Sequence, residues 1–161
     1  MISCTFAGHR EVYDCSLESS IELTIESILK KDNSFVFYCG DMGEFDEMCS
    51  AAVRTAKRRH PEIDIKLMIV LPYMMPKVNT DKYFYENLYD EIIIPMELSD
   101  AHYKSAITKR NRWIVDQSDI LIAYVYKEFG GAYTTLKYAC SKKKEIINLA
   151  NKKAVICSDF N

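Results

Sequence analysis

The sequence of 161 residues predicts an α/β fold. It reads as a Rossmann-like, doubly wound, mostly parallel sheet of about six strands with helices on both faces. Short, almost continuously apolar runs such as Asp119 to Tyr126 suit strands buried on both faces. Segments with apolar residues every three or four positions alternate with those runs. Glycine turns follow two of the strands and open helices, at the carboxyl edge where such sheets bind ligands.

The first strand is expected over Ile2 to Phe6, ending at Ala7-Gly8-His9-Arg10. Leu17, Ile21, Ile25, Ile28 and Leu29 then form one stripe of a helix from about Leu17 to Lys31, with Ser16 as its cap. Strand two, Ser34 to Cys39, runs into Gly40-Asp41-Met42-Gly43 and a helix from about Glu44 to Arg59. Strand three covers Ile63 to Leu71. From Lys77 to Leu88, with Tyr83, Phe84 and Tyr85, a loop and short helix are expected to cover the cleft. Glu91 to Pro95 makes a fourth strand, and a helix from about Asp100 or Ala101 to Gln117 follows, with Asp100 as its cap. The fifth strand ends at Lys127-Glu128-Phe129; Gly130-Gly131 and a helix through Ala139 come next. Glu145 to Leu149 closes the sheet. Residues 1–150 are thus expected to form one domain, and 151–161 a loosely held tail.

Composition narrows the function classes. With 48% hydrophobic and 27% charged residues and a net charge of −2, the chain has the make-up of an ordinary globular protein. That charge gives no expectation of general nucleic-acid binding, which favours a strongly basic domain. No apolar run has the length needed to span a bilayer, so no membrane partner is expected. The first residues lack the pattern of a signal peptide. The six cysteines show no metal-type spacing and are read as reduced and structural, which implies a cytoplasmic protein. The three histidines are too scattered to suggest a metal site, and no cofactor is expected.

The candidate site is built from the glycine turns. Glycines after a strand let the backbone approach a ligand, and the unpaired N–H groups of the next helical turn favour an anion. Gly130 and Gly131, with the hydroxyls of Thr134 and Thr135, therefore propose a phosphate cradle, and Gly40 and Gly43 propose a second turn converging on the same ligand. Gly8 and Arg10 follow the first strand. Lys109, Arg110, Asn111 and Arg112 bring cations and an amide; a solvated helix face is the competing reading of this cluster. Asp41 or Asp46 would take ribose hydroxyls, or else these acids simply complement the helix dipole.

Gly8-His9-Arg10, Gly40-Asp41-Met42-Gly43 with Phe45-Asp46, Leu71-Pro72, and Arg110 to Asp116 leading through Ser118-Asp119 to Gly130-Gly131-Ala132-Tyr133-Thr134-Thr135 and Tyr138-Ala139 resemble the YpsA-like branch of the SLOG superfamily. That superfamily groups Rossmann-like domains related to the LOG phosphoribohydrolases and to DprA/Smf proteins. The resemblance implies a pocket for a nucleotide or nucleotide-derived small molecule, and a homodimer. LOG enzymes carry a glutamate on the helix after the Gly-Gly turn, about where this chain has Lys137, and a lysine cannot stabilise an oxocarbenium-like centre. A sensor-type binding domain is therefore the leading expectation. The alternatives are an enzyme cleaving or transferring an N-glycosidic bond through Glu44, Asp46 or Glu128, and an interaction module with a vestigial pocket.

Overall fold

A computed structural model describes residues 1–151 and 153–160. The strands are β1 (Ile2–Gly8), β2 (Ser34–Cys39), β3 (Asp64–Val70), β4 (Glu91–Ile93), β5 (Ile120–Tyr124) and β6 (Glu145–Asn148). They pair in the order β4-β3-β2-β1-β5-β6, and every pairing is parallel. The helices are α1 (Leu17–Leu29), α2 (Glu44–Arg59), α3 (Pro76–Thr80), α4 (Lys82–Leu88), α5 (Tyr103–Gln117) and α6 (Gly131–Ser141).

Strand periodicity divides the core in two. Cys4 and Phe6 of β1, with Ile120, Ile122 and Tyr124 of β5, face the cluster formed with Leu17, Ile21, Ile25 and Ile28 of α1 and Phe45, Cys49 and Val53 of α2. Ala7, Leu121, Ala123 and Val125 point the other way, toward Val115 of α5 and Leu136 and Ala139 of α6. Successive side chains on a strand take opposite faces, so an unbroken apolar run is what a sheet covered on both sides requires. The α1 stripe is fully buried, with Leu17 and Ile21 at 0% exposure, and each such side chain contributes roughly 1.5–3 kcal/mol.

Several elements depart from expectation. Asp100 does not cap α5; the cap is His102, whose Nδ1 accepts the Lys104 N–H at 3.3 Å. Ser16 precedes α1 without a side-chain capping bond; its backbone is already helical (φ −88°, ψ −8°) and its hydroxyl donates to Asp14 Oδ1 at 2.6 Å. The lid expected from residues 77–88 is two short helices packed at the sheet edge instead. Val78 and Tyr85 anchor them in the α1/α2-side core, while Tyr83 and Phe84 stay exposed.

Cys140 and Cys157 form a disulfide, which corrects the reading of all six cysteines as reduced. The end of α6 and the turn Cys157–Phe160 bring the two Cα atoms to 5.4 Å, within bonding reach. Cys4, Cys39 and Cys49 are buried free thiols, and Cys15 is exposed. The segment after β6 is likewise tied down where it is described: Val155 is buried and its N–H donates to Val125 O at 3.0 Å. Lys152 and Asn161 of the expected tail lie outside the described residues. Among the described residues no helix is long and apolar enough to cross a membrane.

Candidate functional site

Strand order reverses between β1 and β5, because the chain builds outward from β1 to β4 and then returns to the other side of β1. Loops leaving β1 and β5 diverge there and leave a crevice at the carboxyl edge. A cavity of about 350 Å³ occupies this position. Gly8, Arg10, Gly40, Asp46, Arg110, Asn111, Gly130, Gly131 and Thr135 line it. Asp41, Gly43, Arg112 and Thr134 do not.

The glycines do different work. A Cβ on Gly8 would sit 2.2 Å from Phe45 Cδ1, so glycine here lets α2 pack against the end of β1. Gly43 has φ +102°, and its added Cβ would meet Arg10 Cα at 2.6 Å. An added Cβ on Gly130 or Gly131 meets nothing within 4 Å, so the start of α6 stands open at the rim. The first N–H bonded inside that helix is Thr134's, to Gly130 O at 3.0 Å; those before it are unspent, as at any helix start. The threonine hydroxyls, however, donate back to Gly130 O (3.0 Å) and Gly131 O (2.8 Å). Their protons are used within the helix.

Arg110 is 1% exposed, although it belongs to a cluster that also reads as a solvated face. Its Nη1 donates to Val70 O (2.7 Å) and Gly40 O (3.0 Å), and its Nε donates to Asn111 Oδ1 (2.8 Å). One guanidinium thus ties the ends of β2 and β3 to α5. Burial lowers its pKa, against the pull of the Asp46 charge. Arg112, two residues on, faces outward over the Tyr138 ring at 5.3 Å. The half-turn between them separates a cavity residue from a helix-packing one.

Asp46, in the first turn of α2, accepts the Met42 N–H on Oδ2 at 2.9 Å. Burial pushes its pKa up to about 6, while that hydrogen bond and then the Arg110 charge oppose the shift. Asp41 turns away with φ 51° and pairs with Lys77 at 3.1 Å. Of the other two carboxylates considered for chemistry, Glu44 accepts the Val12 N–H at 2.9 Å and Glu128 is exposed; neither lines the cavity. Lys137 points to the far side of α6, its Nζ 5.8 Å from the Phe160 ring centre. Among the described residues no cluster of three or more His, Cys, Asp or Glu could hold a metal ion.

Sequence reasoning missed His9 and Lys127. Both line the cavity, and His9 Nε2 accepts the N–H groups of Tyr126 and Lys127 at 3.2 Å each. The signal was their position, each close behind a strand that flanks the reversal point.

No protein-family model and no curated protein matches the chain. Solved structures do match. DNA processing protein A (DprA) from Streptococcus pneumoniae superposes with a TM-score of 0.64 at 17% identity, over 90% of this chain and 49% of that one. DNA processing protein A from Helicobacter pylori, described for its single-stranded DNA binding mode, gives 0.67 at 15% identity, over 99% and 70%. The chain therefore shares the Rossmann-like fold of DprA, and spans about half the length of the S. pneumoniae protein. The expectation of no general nucleic-acid binding is corrected by the second match: a protein of this fold binds single-stranded DNA. Local field, not net charge, governs such binding, so −2 overall excludes nothing.

Proposed function

We propose that the chain binds a phosphate-bearing nucleotide or nucleotide-derived small molecule in the crevice between β1 and β5, as a sensor-type domain of the SLOG superfamily, YpsA-like branch. The observation that carries this reading is convergence. All five glycines of the chain lie where the chain leaves β1, β2 and β5 toward one edge, and four of them, Gly8, Gly40, Gly130 and Gly131, line a cavity that also holds a buried guanidinium. Arg10 and Lys127 at the rim, with the open first turn of α6, supply the positive field for phosphate. Such a cavity falls within the size range of small-molecule sites. Of the three carboxylates that could serve an N-glycosidic enzyme, Glu44 and Glu128 stand outside the cavity and only Asp46 borders it; Glu11, which also lines it, accepts the Tyr13 hydroxyl proton at 2.6 Å. The absence of Glu44 and Glu128 from the lining favours binding over hydrolysis.

A second reading, in which the same edge binds the backbone of a single-stranded nucleic acid, draws its support from the H. pylori protein. Thermal melting with nucleoside mono- and diphosphates, and separately with a single-stranded oligonucleotide, tests both. Gly131→Asp is the diagnostic variant. Its Cβ has open space, and an acid in the first helical turn suits the dipole, so the fold should be retained or slightly stabilised while an anion is repelled. Stabilisation by mononucleotides, lost in Gly131→Asp, with no base released on chromatography, supports the sensor. Stabilisation by the oligonucleotide alone supports the second reading. Base released in proportion to protein and abolished by Asp46→Asn makes the chain an enzyme.

A further inference from the structure

Asp46 and Arg110 both border the cavity, are 8% and 1% exposed, and form no direct ion pair. Two buried groups of opposite charge normally pair, because each charge out of water costs several kcal/mol unless compensated. Here each turns part of its capacity to other partners. Asp46 gives Oδ2 to Met42 N–H, and Arg110 gives Nη1 to Val70 O and Gly40 O and Nε to Asn111. What remains is Oδ1 on the acid and Nη2 on the guanidinium. Neither has a hydrogen-bond partner among the described residues, and neither is sealed off as a buried unsatisfied atom. A free acceptor and a free charged donor thus belong to two residues that line one cavity.

A hydroxyl group fills such a gap on both sides, donating its proton to the carboxylate and accepting from the guanidinium. A phosphate does not, since it would meet the carboxylate as a like charge. Burial separates the two chemistries. Arg10, Gly130 and Gly131 are exposed at the rim, where a phosphate keeps part of its hydration, and Asp46 and Arg110 lie at the floor. A nucleotide whose phosphate rests at the rim directs its sugar inward.

We propose that Asp46 Oδ1 and Arg110 Nη2 bridge through a sugar hydroxyl of the bound nucleotide, so that the site selects ribonucleotides against their deoxy counterparts. This rests on the nucleotide reading of the same cavity. It makes Arg110 a hydroxyl reader and leaves the phosphate to the rim. A site built to hydrogen-bond a hydroxyl discriminates strongly against the analogue lacking it, because its own polar groups are then left buried and unpaired.

Calorimetric titration of the whole chain with the four ribonucleoside 5′-monophosphates and their 2′-deoxy and 3′-deoxy counterparts tests the inference. The expected result is affinity at least about tenfold weaker for one of the two deoxy series, the loss of a hydrogen bond to a charged group. Asp46→Leu should bring that ratio close to one, and Asp46→Asn, which keeps an oxygen acceptor without the charge, should leave it intermediate. Should Asp46→Leu fail to fold, the ligand comparison on the unaltered protein decides alone. Ribo and both deoxy series binding equally would overturn the hydroxyl bridge while leaving nucleotide binding standing. Binding by none of them would remove the nucleotide reading itself, and the bridge with it.

Discussion

His9 Nε2 accepts the backbone N–H of Lys127 at 3.2 Å and so pins the loop after β5 to the end of β1. It accepts the Tyr126 N–H at the same distance. With Nε2 committed as an acceptor, the proton of the neutral ring resides on Nδ1. Burial, and then the charge of Lys127, lower the His9 pKa below its ordinary 6.5. The folded state therefore disfavours the imidazolium. Stability from this contact is present above pH 6.5 and is lost as pH falls through the lower folded value. Melting temperature measured from pH 8 to 5 should fall in the unaltered chain relative to His9→Gln, which has no titrating ring. Parallel curves would show that the pin is not charge-sensitive.

Asp46 works in the opposite sense. Its folded pKa of about 6 lies above the ordinary 3.8, so its stabilising contribution is full below 3.8 and is lost as pH rises through about 6. Above that pH the fold carries a buried carboxylate it would be more stable without. Asp46→Asn keeps an acceptor for Met42 N–H and removes the charge. It should raise stability at pH 8 by on the order of 2 kcal/mol and leave it nearly unchanged at pH 4. Denaturant titration at the two pH values reads the difference directly. An equal effect at both would place the cause in packing and not in ionisation.

These two residues also mark what could be read before the structure. The sheet was legible because both faces are covered: the run Ile120 to Val125 is apolar without a break, and a doubly covered strand needs that. The glycine turns were legible as turns at strand ends, but not that Gly8 serves the packing of Phe45 and Gly43 the approach of Arg10. The fate of Arg110 and Arg112 was not, since helical rotation alone sends one to the floor of the cavity and the other onto Tyr138. Nor was the use of the Thr134 and Thr135 hydroxyls, which depends on whether a helix carbonyl is nearer than a ligand. His9 was visible only as part of the Gly8-His9-Arg10 motif, and its role in holding the loop was not, because its partners are backbone groups that no sequence displays.

Gly43 and Gly131 should respond oppositely to the same substitution. Gly43→Ala places a Cβ 2.6 Å from Arg10 Cα at φ +102°, a conformation and a contact that alanine cannot relieve without moving backbone. A cost of about 1–3 kcal/mol is expected. Gly131→Ala adds a methyl into open space in the first turn of α6 and should stabilise by roughly 0.5–1 kcal/mol. Chemical denaturation of the two variants checks the pair. Destabilisation of similar size in both would mean that the α6 start is held by something beyond its own backbone.

Cys140 and Cys157 close a loop 17 residues apart across the outer face of α6, where Tyr133 also packs on Phe160 with ring centres 5.4 Å apart. Cross-linking a loop of that size is worth about 3 kcal/mol on the chain-entropy account, by restricting the unfolded chain. Cys157→Ser should therefore lower the melting temperature by roughly 6–12 °C for a domain of this size. The smaller unfolded-state penalty is not the whole effect, because Val155 N–H bonds Val125 O and the segment that carries it would lose its anchor. Thiol titration tests the bond itself without a variant. In the folded chain Cys15 is the one exposed free cysteine and should react first, while Cys4, Cys39 and Cys49 stay buried. Burial also raises the thiol pKa of Cys4 and Cys39 to about 12, which slows them further. Unfolding without reductant should release those 3 thiols and leave Cys140 and Cys157 silent. Reaction of all 6 cysteines in unreduced, unfolded protein would show that the pair is not bonded and that α6 and the following segment are held by packing alone.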